Sequence, residues 1–411
     1  MRVLVVHNRY RSAQPSGENA VVEEETELLR GAGAVVEVLT VESDDIAGWP
    51  RAKRLTLPAR VVWSRDGART VRRAIAGFRP DVVHAHNTFP LLSPAALRAA
   101  HGSGVRVVQT LHNFRPLCPA ATFLRDGKVC EDCLGRVPIP AVVHGCYRSS
   151  RAATFPIAVK DALHSAIGTW SSAVDTYITP SEFARSRYLK AGWPAEQIVV
   201  KYNTAPDPGA PQPAYDGGFI CLSRLAPEKG VDVLLEAWGR AFPDGGQRLR
   251  VVGAGDLEDA LRARAAPLAG VELTGQVARD RGLEILAGAR ALVVPSRWYE
   301  VFPRIVAEAY ALGIPVIASR LGSLAEIVAD GETGLHAEPG DPADLARALR
   351  RLADDRDLVE RLGAGARREY ERSLSPKATT DRLLEIYSGT HGTTGPATAA
   401  AAPLAANGAA R

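Results

Sequence analysis

The sequence predicts an α/β protein made of two consecutive doubly wound units. Three observations carry that expectation. Short β-branched apolar runs alternate with helical stretches from Arg2 onward. A proline- and glycine-rich break, APDPGAPQPAYDGG, interrupts the alternation at 205–218, and the same pattern then restarts. Strands alternating with helices build parallel sheets covered on both faces.

The elements follow in order. RVLVV (2–6) is apolar on both faces, as a buried parallel strand must be. Glu18–Arg30 fits a helix, stopped by Gly31 and Gly33. Strands are expected at 35–40, 81–86, 105–110 and 175–179. After the linker come strands at 219–223, 248–253, 271–275, 291–295 and 314–319. From about 390 the chain turns to Ala, Gly, Thr and Pro, a composition expected to be disordered.

Composition limits the function. At 411 residues, 46% hydrophobic and 23% charged, the chain suits two soluble domains. No apolar run approaches the length of a membrane span. The opening MRVLVVHNRY turns basic too early for a signal peptide, so a cytoplasmic protein is expected. A net charge of +4 is too small to point to nucleic acid. Only seven of the 50 basic residues are lysine, a bias expected of a GC-rich bacterial gene.

Doubly wound sheets bind ligands beyond the carboxyl ends of their strands. The loop after the first strand of the second unit is SRLAPEKG (223–230), with a helix at once behind it. Arg224, Lys229 and a helix N-terminus suit a diphosphate. A solvated loop with surface bases is the competing reading. Glu300-Val-Phe-Pro-Arg-Ile-Val-Ala-Glu308 lies between the strand ALVVP and a helix expected over 303–312. Pro303 suits the first helical position. Glu300 before the helix and Glu308 inside it could hold two parts of one ligand, or be ordinary helix acids.

SRLAPEKG, WYEVFPRIVAEAYALGIPVIAS, GSLAEIV and DGETGL occur in that order. Together they resemble the retaining GT-B glycosyltransferases of family four, across the chain to about 388. The resemblance implies two Rossmann-like domains facing a central cleft: an acceptor-side domain over 1–207 and a nucleotide-sugar domain over 208–371. It also implies a helix in 372–389 that returns to the first domain, ahead of a tail at 390–411. Arg224 and Lys229 match the pair that grips the donor diphosphate. Glu308 matches the ribose ligand and Glu300 the ligand of donor-sugar hydroxyls. Backbone amides of Val301, Phe302 and Pro303 occupy the sugar-contacting loop, where Glu-Val-Phe-Pro replaces the family's Glu-Gly-Phe-Gly. Pro303 has no N–H to give. His112, after strand VRVVQT, matches the active-site histidine. Gly17, in Pro15-Ser16-Gly17, sits where many members have Gly-Gly beside the donor phosphate.

Asn8, His84, His86 and Asn87 also follow strands, and could line the acceptor side or serve packing and turns. Cys118, Cys130, Cys133 and Cys146 have a spacing that suits structural zinc, with free thiols the alternative and His144 a substitute ligand. Residues 51–79 hold nine Arg or Lys against Asp66 alone. Such a cluster can dock on anionic lipid, meet an anionic acceptor, or be solvated. The expected activity is transfer of a sugar from a nucleotide-diphosphate sugar to a hydroxyl of a glycan, glycolipid or small molecule, with no catalytic metal. A sugar-nucleotide epimerase, a phosphorylase or a non-catalytic sugar-binding subunit are the rivals.

Overall fold

A computed structural model describes residues 1–12, 17–211 and 213–390. Pro15, Ser16 and the expected tail from 391 onward lie outside the described residues.

The first sheet contains β1 (Arg2–Arg9), β2 (Val35–Glu42), β3 (Val82–Ala85) and β4 (Arg106–Thr110). A short antiparallel hairpin, β5 (Leu124–Arg125) and β6 (Lys128–Val129), interrupts the series. The sheet is completed by β7 (Thr176–Thr179) and β8 (Ile198–Val200). Its order is β2-β1-β3-β4-β7-β8, all parallel. The second sheet contains β9 (Phe219–Leu222), β10 (Leu249–Val252), β11 (Val271–Gly275), β12 (Ala291–Val294), β13 (Val316–Ser319) and β14 (Gly334–Ala337). Its order is β11-β10-β9-β12-β13-β14, again parallel.

Chain order reverses between β1 and β3 in one sheet and between β9 and β12 in the other, and these switch points open the ligand crevices. β8 and β14 had no sequence expectation. They are three and four residues long and sit at sheet edges, too short for a period to register. The helix expected from Pro303 begins at Arg304 instead, because Pro303 is extended (φ −78°, ψ 97°) and caps it.

The last helix, Pro376–Ser388, buries Leu383, Ile386 and Tyr387 in one cluster with Val3, Val5, Val82 and Val108 of the first sheet. Burying one such side chain is worth roughly 1.5–3 kcal/mol, so three hold the helix on this domain.

Candidate active site between the two sheets

At the second switch point, β9 runs into Ser223 and Arg224, a single turn Pro227–Lys229, and the helix Val231–Ala241. Gly230 makes the bend at φ +70°, and a Cβ there would lie 2.0 Å from the Pro295 carbonyl. This close approach brings the loop after β9 against the loop after β12. Lys229 Nζ lies 2.6 Å from Glu300 Oε1, which also accepts from Ser296 Oγ at 2.9 Å. Glu300 is buried. Burial alone would raise its pKa, but the Lys229 charge and hydrogen bonds from Lys229, Trp298 and Ser296 outweigh it. The carboxylate is therefore held ionised, a pure acceptor for ligand hydroxyls. Arg224 pairs with Glu228 at 2.9 Å, and its side chain is 62% exposed, free to turn towards an anion.

Glu308 is not free. Arg279 reaches it at 2.8 Å and also reaches Glu24 of the first domain at 2.9 Å. Arg304 donates to both oxygens of Glu24, at 2.7 and 2.9 Å, and to the Gly17 carbonyl at 3.3 Å. The cleft is thus spanned by ion pairs, and a ligand at Glu308 must displace or share Arg279. Glu24 and Arg279 carried no motif, since an ion pair 255 residues apart leaves no spacing to read.

At the first switch point, four histidines converge. His112 Nε2 is hydrogen-bonded to His86 Nδ1 at 2.8 Å, with the rings stacked. His86 Nε2 points towards Glu25 at 3.9 Å, and Glu25 is held by Lys201 at 2.5 Å. His84 bonds Thr110 and Tyr387, and His7 donates to Asn19. Burial lowers all four pKa values, His84 to about 3, so the rings are neutral. The Glu25 charge favours the proton on His86 Nε2. His86 Nδ1 then accepts from His112 Nε2–H, leaving His112 Nδ1 as a free acceptor.

Among the described residues, Glu25, His84 and His86 form the group whose metal-capable donor atoms lie within 4.8 Å of one another. Both His84 nitrogens are occupied and Lys201 already neutralises Glu25, so this set does not suit a cation. Asn8 and Asn87 were expected to reach an acceptor. Asn8 is fully buried, with its amide spent on Arg9, Val41, Ser43 and Leu91. The Asn87 amide donates to the Asn8 carbonyl and accepts from Phe89 N–H. These bonds hold the strand ends, and Asn87 also lines the small cavity beside His86 and His112.

Cys118, Cys130, Cys133 and Cys146 line one small cavity of about 20 Å³ beside the β5–β6 hairpin. His144 is exposed at the end of the helix Ile139–His144 and does not line the cavity.

Two family models match the chain, the glycosyl transferase 4-like domain over residues 16–204 and the glycosyl transferases group 1 domain over residues 217–355. Between them the two models span most of the chain, which has the GT-B fold and is similar to glycosyl transferases of group 1. A D-inositol 3-phosphate glycosyltransferase of Thermomonospora curvata is 36% identical over 44% of each chain, so the match spans under half of that relative's length. A phosphatidyl-myo-inositol mannosyltransferase of Mycobacterium leprae is 28% identical over 91% of this chain and 93% of its own. Among solved structures, a Rickettsia africae glycosyltransferase superposes with TM-score 0.67 at 17% identity, over 94% of this chain and 98% of its own. Anabaena Alr3699/HepE, solved with UDP, gives 0.64 at 18%, over 95% and 100%. Such likenesses establish the fold.

Proposed function

We propose that the protein transfers a sugar from a nucleotide-diphosphate sugar to a hydroxyl acceptor, with retention of configuration and without a catalytic metal. The observation that carries this reading is the Lys229–Glu300–Ser296 cluster at the second switch point, beside Arg224. The donor's sugar hydroxyls bond the ionised Glu300, and Glu308 takes the ribose once Arg279 yields. Arg224, Lys229 and the N-terminus of the helix Val231–Ala241 meet the charge that builds on the departing diphosphate. Backbone N–H groups of Val301 and Phe302 face the sugar, while Pro303 contributes shape alone. Gly17 lies opposite, against Arg304. His112 Nδ1 accepts a hydrogen bond from the sugar or from the attacking hydroxyl, which approaches from the same face as the leaving group. UDP in the solved neighbours and the mannosyl- and glycosyltransferase relatives support a nucleotide-sugar donor.

The four cysteines hold a structural zinc ion that ties the hairpin to the segment following His112. The donor set is right for zinc and the cavity admits one ion. The enzyme acts in the cytoplasm, and the basic segment 51–79 touches the inner membrane face. No helix among the described residues is long and apolar enough to cross a membrane.

Thermal shift with UDP, UDP-glucose and GDP-mannose tests the donor site. At least one should raise Tm, and Lys229→Ala should abolish the rise. No shift by any of them sinks the reading. Zinc below about a tenth of an equivalent in purified protein removes the metal.

A further inference from the structure

Arginines across this surface pair with carboxylates, as Arg9 does with Glu23, Arg60 with Asp66 and Arg187 with Glu131. Arg11, Arg54, Arg115 and Arg148 break that habit. None has a carboxylate within 4.0 Å among the described residues, and all four line one pocket of about 450 Å³ in the first domain. No acid lines it. Arg115 stacks on Phe89 at 4.3 Å, and its Nε is buried with no hydrogen-bond partner. Four cations lining one pocket with no acid in its wall repel one another, and an anion placed among them relieves that repulsion.

Apart from Tyr10, Ser43 and Tyr147, the rest of the wall is apolar. Leu57, Pro58 and Val61 come from one side, and Pro156 and Ile157 from the helix Arg151–Ala166 on the other. Beside these wall residues, Leu55 is 82% exposed and Phe155 59%. Val61, Phe89 and Arg115 also line the small cavity that carries His86 and His112, so the pocket adjoins the histidine cluster. A soluble sugar phosphate would leave these walls wet, and an uncharged lipid would leave four cations unpaired.

We propose that this pocket binds the acceptor, and that the acceptor is a phosphorylated amphiphile. Its phosphate lies among Arg54, Arg115 and Arg148, where guanidinium forks match phosphate oxygens. Its chain lies along Leu57–Val61 and Pro156–Ile157 and leaves past Leu55 and Phe155. The acceptor role rests on the transferase reading above, while the ligand class rests on the pocket alone.

Calorimetric titration of the full chain tests this with three probes: decyl phosphate below its micelle concentration, inorganic phosphate, and decyl glucoside. Decyl phosphate should bind at least about tenfold more tightly than either of the others. The double variant Arg54→Gln/Arg148→Asn should weaken it about tenfold or more. Asn suits position 148, where φ is +56°. Decyl glucoside binding as well as decyl phosphate, inorganic phosphate binding as well, or a double variant equal to the parent each overturns the proposal. UDP titrated into the same samples keeps the two readings apart. UDP bound with decyl phosphate unbound fails the pocket alone. Decyl phosphate bound with UDP unbound fails the transferase reading alone and leaves the pocket's ligand class standing.

Discussion

The two switch points solve opposite problems with similar architecture. At the second, the working groups are charged, paired and drawn from two loops: Lys229 on Glu300, Arg224 on Glu228. At the first, the histidines are neutral, and the neighbouring arginines have no carboxylate within 4.0 Å among the described residues. The difference teaches where each half expects its charge. The second switch point carries its own counter-ions, which an anionic ligand would have to displace. The first keeps charge off the histidines and gathers it in the neighbouring pocket.

Glu300→Gln should break the comparison hardest. It removes the carboxylate and leaves Lys229, only 18% exposed, without its buried partner. Losing one member of such a pair costs about 3 kcal/mol of stability. Turnover should fall on the order of 10²-fold or more, the scale of a lost transition-state contact. Urea unfolding and initial rates check the two effects. Wild-type turnover in the variant would move the working charges away from the second switch point.

The same contrast governs what the sequence made legible. SRLAPEKG and EVFPRIVAE are each one strand–loop–helix passage, so the second switch point could be read from spacing, and Glu300 stands just before its helix as that spacing implied. The strands flanking the switch points were legible because continuous β-branched runs mark buried parallel strands. The first switch point is assembled from Glu25, His86, His112, Lys201 and Tyr387, which lie on five segments that meet only after folding. His112 was singled out by its place after a strand and by the family resemblance, whereas Glu25 and Lys201 belong to no motif. The arginine-lined pocket was partly visible: the basic segment 51–79 supplies Arg54, but Arg11, Arg115 and Arg148 lie outside it.

Glu18 sharpens the comparison by pH. Burial pushes its carboxyl from 4.5 up to about 7, against hydrogen bonds from Tyr10 and Asn113 and the charge of Arg115. A raised folded pKa means stability that is full below about 4.5 and lost as pH rises through about 7. Glu18→Gln keeps the neutral form at every pH. Wild type should lose stability relative to the variant across that window, by about 3 kcal/mol at most. A difference flat from pH 5 to 8 would return Glu18 to the solvent. A smaller effect is expected at His86. His86→Leu deletes the acceptor for His112 Nε2–H and should lower kcat/KM about tenfold. His86→Asn restores an oxygen near the place of Nδ1 and should recover most of it. Equal loss in both variants would reduce His86 to packing.

The smallest effect concerns the bridge between the halves. Arg304 and Glu24 are 14% and 20% exposed and join the two domains, with Arg279 sharing the same carboxylate. Lys229 and Glu300 belong to one domain and can stay paired through any opening, but Glu24 and Arg304 must part whenever the cleft opens. Their coupling should therefore be modest, about 1 kcal/mol in a double-mutant cycle of Glu24→Ala and Arg304→Ala. It should also shrink in 1 M salt, where the screening length falls to about 3 Å. Urea unfolding at low and high salt measures both. A salt-insensitive coupling as large as the roughly 3 kcal/mol expected for Lys229–Glu300 would make the bridge a permanent tie. The donor would then have to enter a cleft that does not open, and closure over the substrate would no longer follow from these residues.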